Sequence, residues 1–151
     1  MISNLIHEDH LLTNVECESW EQLVDISGEP LLKKGLIEAE FLNSVKETVE
    51  KYGSYMVLLD DIAFFHGRPE SGVSEICMTL ALLKTPVFLL DKRVKAAFMF
   101  AAVDNKSHQN LLKELAQCMN DDEFLTLLLD GTDSDAILKK LMEVEQNYEV
   151  S

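Results

Sequence analysis

Apolar positions along this chain change their spacing twice. From Glu38 to Tyr52, Phe41, Leu42, Val45 and Val49 recur at steps of three and four, with Asn43, Lys46, Glu47 and Glu50 opposite. That pattern predicts an amphipathic helix, ended by Gly53. Upstream, Leu11 to Val15 reads as a short edge strand. Ser19-Trp20-Glu21-Gln22 then has the S-x-x-Q spacing of a capping box ahead of Leu23, Val24 and Ile26. Gly28 and Pro30 interrupt that helix, and Leu31 to Gly35 read as a further turn closed by glycine.

The middle of the chain reads as strands. Tyr55 to Leu59 is short, apolar and partly β-branched, and Asp60-Asp61 forms a turn before Ile62 to Phe65. Ser74 to Leu83 and Val94 to Val103 are longer apolar runs, of the length a buried central strand has. Their alternation is weak, so period alone does not separate strand from helix there. Between them Thr85-Pro86-Val87-Phe88 begins an excursion, and Asp91-Lys92-Arg93 is a polar loop.

The last third returns to helical spacing. Asp104 to His108 supplies cap residues for the stripe Leu111, Leu112, Leu115, Cys118 and Met119. Asn120-Asp121-Asp122-Glu123 has the N-x-x-E form of a capping box before Phe124, Leu127 and Leu128, and Gly131 stops that helix. Thr132 to Asp135 opens a final helix carrying Ile137, Leu138, Leu141 and Val144. Helices at both ends of a strand-rich middle predict an α/β fold with helices packed on the sheet. Without a linker, repeat or low-complexity segment, residues 1–151 are expected to form a single domain.

Charge narrows the partners. The chain carries 27 acidic against 13 basic residues, a net charge of −14. Nucleic acid and anionic membrane surfaces demand basic patches, which this charge disfavours; it fits a locally basic protein partner and equally plain solubility. Cys17, Cys77 and Cys118 are far apart and form no C-x-x-C, which points away from a zinc knuckle or disulfide framework and towards a reducing compartment. The N-terminal MISNLIHEDHLL lacks the basic and apolar regions of a signal peptide, and no apolar run has membrane-spanning length. A cytoplasmic location is expected.

Candidate chemistry concentrates in Asp60 to Val73, DDIAFFHGRPESGV. His66 follows the apolar run Ile62 to Phe65 and precedes Gly67-Arg68-Pro69-Glu70, placing an imidazole where the sheet must stop. Gly67 allows close backbone approach and Arg68 adds a permanent cation. Such a histidine suits taking and releasing an anionic group; the plainer reading is a half-buried structural histidine beside a turn. His108 falls in the first turn of a helix after a long strand, where N–H groups favour anions and neutral imidazole. Two histidines at two strand ends can face one cleft; the plainer reading of His108 is an exposed helix residue. His7 and His10 are spaced H-E-D-H without further ligands nearby and read as solvated. Glu70 reads as an ion-pair partner for Arg68 or a lysine. The chain has no G-x-S-x-G and no Walker-type glycine loop.

These residues resemble a known family. Gly53 to Leu58 (GSYMVL) and Asp61 to Val73 (DIAFFHGRPESGV) are similar to the core of enzyme IIA domains of the sugar phosphotransferase system. The likeness is to the mannitol/fructose type, and within it to the ascorbate/galactitol-like branch, with its pattern G-P-Y-I-V-I…G-I-A-x-P-H-A-R-P-E-x-G-V. It continues through Leu80 to Pro86 as L-x-x-L-x-x-P, and through Phe98 to Leu112, which ends AAVDNKSHQNLL and resembles A-A-x-D-x-x-S-H-x-x-L-L. The resemblance implies a three-layer α/β/α sandwich with a mixed sheet flanked by helices. It also implies a phosphoryl carrier loaded by the histidine-containing protein HPr, which passes the group to a cysteine of enzyme IIB, itself serving the membrane component IIC.

Carried over by position, His66 is the expected phosphohistidine and His108 the second histidine supporting the phosphoryl group. In the family the phosphate sits on Nε2. The other nitrogen of His66 then needs a partner, expected to be a backbone carbonyl. Arg68 and the N–H groups after Gly67 are the expected donors to phosphoryl oxygens. No metal and no diffusible cofactor is implied. Sugar choice belongs to the membrane component in this family, so it is not written here. A regulatory module switched by phosphorylation of His66 is the alternative the same residues allow. Among the departures from the pattern, Phe65 stands where proline is usual, and Asp61 where glycine is usual, which is expected to add negative charge close to an incoming phosphate.

Overall fold

The computed structural model describes residues 2–69 and 71–150. Among these, β1 (Leu11–Val15), β2 (Asp61–Phe65), β3 (Cys77–Leu89) and β4 (Lys92–Ala101) form one sheet in the order β1-β3-β4-β2. β1 runs parallel to β3, β3 antiparallel to β4, and β2 parallel to β4, so the sheet is mixed. The helices are α1 (Ile2–Leu5), α2 (Trp20–Lys33), α3 (Ala39–Tyr52), α4 (Asn105–Cys118), α5 (Asp122–Asp130) and α6 (Ser134–Val150).

The weak alternation in the central runs has a direct cause: both sheet faces are covered. Ala63, Phe65, Ala81, Leu83, Ala97 and Met99 point into a core shared with α2 and α3. Ile62, Phe64, Leu80, Leu82, Ala96, Phe98 and Phe100 point the other way, into a core shared with α1, α4, α5 and α6. The result is the expected three-layer α/β/α sandwich. No helix among the described residues is long and apolar enough to cross a membrane.

Several local expectations fail, each for a packing reason. α2 does not break at Gly28 and Pro30 but runs on to Lys33. A Cβ on Gly28 would lie 2.4 Å from Leu42 Cδ2, so this glycine lets α2 approach α3 rather than ending a helix. At the start of α2, Ser19 accepts the Gln22 N–H, but Gln22 reaches back to the N–H of Glu18, one residue earlier than a capping box requires. Residues 55–59 form no strand: Gly53–Met56 is a 3₁₀ turn, and Leu59 makes only an isolated bridge with Ile62. Tyr55 and Leu58 stay exposed, so that apolar run never finds a sheet partner.

The excursion at residues 85–88 lies inside β3. Leu82 pairs Ala96 and Val87 pairs Val94, so residues 83–86 bulge opposite Lys95 and the ladder then resumes to Leu89. Lys95 donates to the Leu83 carbonyl within the bulge, and Pro86 sits where its missing N–H costs no ladder bond. α5 is capped by Asp121, which accepts the Phe124 N–H at 2.9 Å, one residue later than the sequence pattern suggested.

Candidate functional site

β2 and β4 are parallel neighbours, so their carboxyl ends lie at the same end of the sheet. His66 leaves β2 there, and the chain leaving β4 turns into α4 with Asp104 as its cap. Asp104 accepts the Ser107 N–H at 2.8 Å and Ser107 returns a bond to the Asp104 N–H, a closed capping box. That cap holds the first turn of α4, and with it His108, over the end of β2. The two imidazole centroids are 5.3 Å apart in an edge-on arrangement at 63°. Sequence reasoning expected these two histidines to share a cleft, and the structure brings them together.

His66 Nδ1 lies 2.7 Å from the carbonyl oxygen of Phe64. A carbonyl only accepts, so Nδ1 carries the proton and donates. In the neutral ring this leaves Nε2 with its lone pair free. The partner of His66 is thus a backbone carbonyl, as expected. Burial pushes the pKa of His66 below the ordinary histidine value; the Phe64 carbonyl opposes this, and nearby His108 adds to it. Burial also lowers the pKa of His108. Both shifts favour the neutral rings.

Phe100 completes the group, and sequence reasoning missed it. Its ring stacks on His66 at 5.2 Å and 22°, and lies 5.4 Å from His108 at 43°. The register explains this. Phe64 pairs Phe98 and their rings stack at 5.6 Å and 9°; two residues further along each strand, on the same face, stand His66 and Phe100. Counting in steps of two from Phe98 finds it.

Gly67 is buried against α3. A Cβ there would lie 2.0 Å from Ser44 Oγ and 3.3 Å from the Phe41 carbonyl oxygen, so only glycine lets the loop after His66 lie this close. Arg68 is exposed and turned to α3, where Nη1 donates to Glu47 Oε2 at 3.1 Å. Glu70, read as an ion-pair partner, lies outside the described residues. Beside the site, an apolar cleft of about 240 Å³ runs along Leu58, Leu59, Phe64, Leu112 and Met119.

Asp61 does not approach the histidines. It begins β2 while His66 follows its end, a separation of about 16 Å at strand rise. Arg93 also clamps its carboxylate through Nε at 2.6 Å and Nη2 at 3.1 Å, which holds the Asp61 pKa below the usual carboxylate range. The expected negative charge near a phosphate is therefore absent. Asp61 has φ 69°, a left-handed backbone, which accounts for glycine in the family pattern.

His7 is exposed, as expected, but His10 departs from expectation because it is buried. Its Nδ1–H donates to the Leu5 carbonyl at 2.9 Å and its Nε2 accepts from Lys34 Nζ at 2.9 Å. Lys34 also pairs with Asp9, which in turn binds His7. The ligand atoms of His7, Asp9 and His10 converge, but the Lys34 ammonium takes the cation's place among them. The cluster ties the N-terminal segment to the end of α2.

The family model for the "Phosphoenolpyruvate-dependent sugar phosphotransferase system, EIIA 2" matches residues 4–144. The mannitol-specific cryptic phosphotransferase enzyme IIA component of Escherichia coli K12 is 27% identical over 133 residues, covering 87% of this chain and 90% of its own length. The ascorbate-specific PTS system EIIA component of the same strain is 29% identical over 124 residues, covering 80% of each. Among solved structures, the complex of enzyme IIA mannitol with phosphorylated enzyme IIB mannitol from Escherichia coli matches with TM-score 0.79 at 20% identity, covering 92% of this chain and 99% of that one.

Proposed function

We propose that this chain, which belongs to the EIIA 2 family of the phosphoenolpyruvate-dependent sugar phosphotransferase system, carries a phosphoryl group on His66 as one IIA domain in the cytoplasm. HPr loads it and a cysteine of enzyme IIB unloads it, in service of a membrane component IIC. The carrying observation is the Nδ1–H bond from His66 to the Phe64 carbonyl, which leaves Nε2 as the nucleophile beside the His108 ring. In the proposed step, the Nε2 lone pair attacks phosphorus. A new P–N bond forms as the donor's P–N bond breaks, and the donor imidazole leaves. Nδ1 keeps its proton, donated to the Phe64 carbonyl oxygen, throughout. Transfer onward breaks the same P–N bond while a cysteine thiolate forms P–S.

Such transfer needs positioning and charge stabilisation rather than a metal or cofactor. His108 donates an N–H to a phosphoryl oxygen, with backbone N–H groups after Gly67 as further donors. Arg68 joins them once it swings from Glu47. The apolar cleft along Phe64 and Leu112 offers partners a desolvated foothold, while the net charge of −14 draws basic ones.

Intact mass after mixing with phosphoenolpyruvate, enzyme I and HPr tests this. One acid-labile phosphoryl group is expected on the wild type and none on His66→Ala. No gain, under conditions that load a known IIA, refutes the carrier reading.

A further inference from the structure

We propose that Phe100 is a positioning residue for this site: its buried ring fixes the planes of both imidazoles. This rests on the carrier reading of His66. The three centroids form a nearly equilateral triangle, with His66–Phe100 at 5.2 Å, His66–His108 at 5.3 Å and Phe100–His108 at 5.4 Å. Phe100 is fully buried, and it is held in the ladder of β4 opposite Met78 of β3. It is the rigid corner of the triangle, whereas His66 lies just past a strand end and His108 in a first helical turn.

The Phe64 carbonyl fixes His66 only at Nδ1, and a ring held by one hydrogen bond still swings about that bond. The near-parallel stack on Phe100 removes that freedom, because sliding or tilting the imidazole loses the offset contact. With both constraints, Nε2 points along one line, which an in-line attack on phosphorus requires. The same phenyl ring meets His108 at 43° and so sets the two imidazoles relative to each other. Its apolar face also removes water from them, consistent with the lowered pKa of both.

A matched control lies one step back along the strand. Phe98 is equally buried, on the same face of β4, and stacks on Phe64 instead of on an imidazole. Phe100→Leu and Phe98→Leu therefore cost similar core packing, but only the first frees the imidazoles. Two readouts are taken on each: nitrogen-15 NMR of the imidazoles for tautomer and titration, and the rate of phosphoryl uptake from phosphorylated HPr. Phe100→Leu is expected to mix the His66 tautomers, move its titration towards the ordinary value, and slow uptake about tenfold, the equivalent of one lost aromatic pair. Phe98→Leu is expected to lower the melting temperature comparably and leave both readouts unchanged.

Equal effects from the two variants, or an unmoved His66 tautomer in Phe100→Leu, overturn the proposal. Failure of the carrier reading shows separately: the wild type then takes no phosphate, while the NMR comparison still reports whether Phe100 orders the rings.

Discussion

Replacing Gly67 with alanine tests whether the loop after His66 is set by its contact with α3. The new Cβ would lie 2.0 Å from Ser44 Oγ and 3.2 Å from Phe41 Cε1. Ser44 is fully buried, and its hydroxyl donates to the Phe41 carbonyl at 2.7 Å, so it has no solvent to turn into. Overpacking of this kind costs about 1–3 kcal/mol. Stranding the Ser44 hydroxyl costs about another 1–3 kcal/mol. A loss of about 3 kcal/mol is therefore expected by urea denaturation, a large part of the roughly 5–15 kcal/mol typical of a folded domain. Ser44→Ala alone loses only one hydrogen bond, about 1 kcal/mol. In the double variant the two changes should couple, because the oxygen that clashes is gone, recovering about 1–2 kcal/mol. If Gly67→Ala is as costly in the Ser44→Ala background as in the wild type, the close approach is not what requires glycine, and the reasoning fails.

Three further outcomes follow from the same geometry. His10, His66 and His108 all have pKa values pushed below 6.5 by burial, so the unfolded chain binds more protons as pH falls through that value. Their contribution to stability is full above about pH 6.5 and is lost as pH falls towards the folded values; urea midpoints across pH 8 to 5 should be level and then fall, and a level profile throughout refutes it. Asp61→Gly relieves a left-handed backbone but loses the Arg93 pair, two terms of about 1 kcal/mol or less each, so its melting temperature should barely move, whereas Asp61→Ala keeps the strain and should lose about 1 kcal/mol. Arg68→Ala breaks only an exposed pair with Glu47 and should leave stability within about 0.5 kcal/mol while slowing phosphoryl uptake; Glu47→Gln, which frees Arg68, should not slow it.

The sequence was most legible where chemistry is local. Phe41, Leu42, Val45 and Val49 announce α3 because one stripe meets one core. His66 is legible because Gly67 and Pro69 confine it to a strand end. Legibility fails where a distant partner decides. Residues 55–59 have strand composition, but Leu59 meets Ile62 through a single bridge and the ladder goes no further. Gly28 looks like a breaker until Leu42 of α3 is seen against it. The bulge at residues 83–86 belongs to the register with β4, and no residue within it announces that pairing will resume at Val87. His10 reads as solvated because nothing local shows that Lys34, on α2's end, will close over it.

The departures at positions 61 and 65 act at different places, and neither reaches Nε2 of His66. Asp61 occupies a backbone conformation that favours glycine, but it does so at the start of β2 with its charge paired to Arg93. Phe65 stands directly before His66, where proline would restrict the backbone by its ring. The structure restricts it by burial instead: Phe65 is fully enclosed in the core with α2 and α3 and pairs Met99 on β4. Because side chains alternate along a strand, sinking Phe65 into one core turns Phe64 and His66 to the other face. There Phe98 and Phe100 of β4 wait in register to stack on them. The anchor that replaces proline thus also chooses the face on which His66 meets Phe100 and His108. This is why an aromatic residue at position 65 is compatible with an ordered histidine pair.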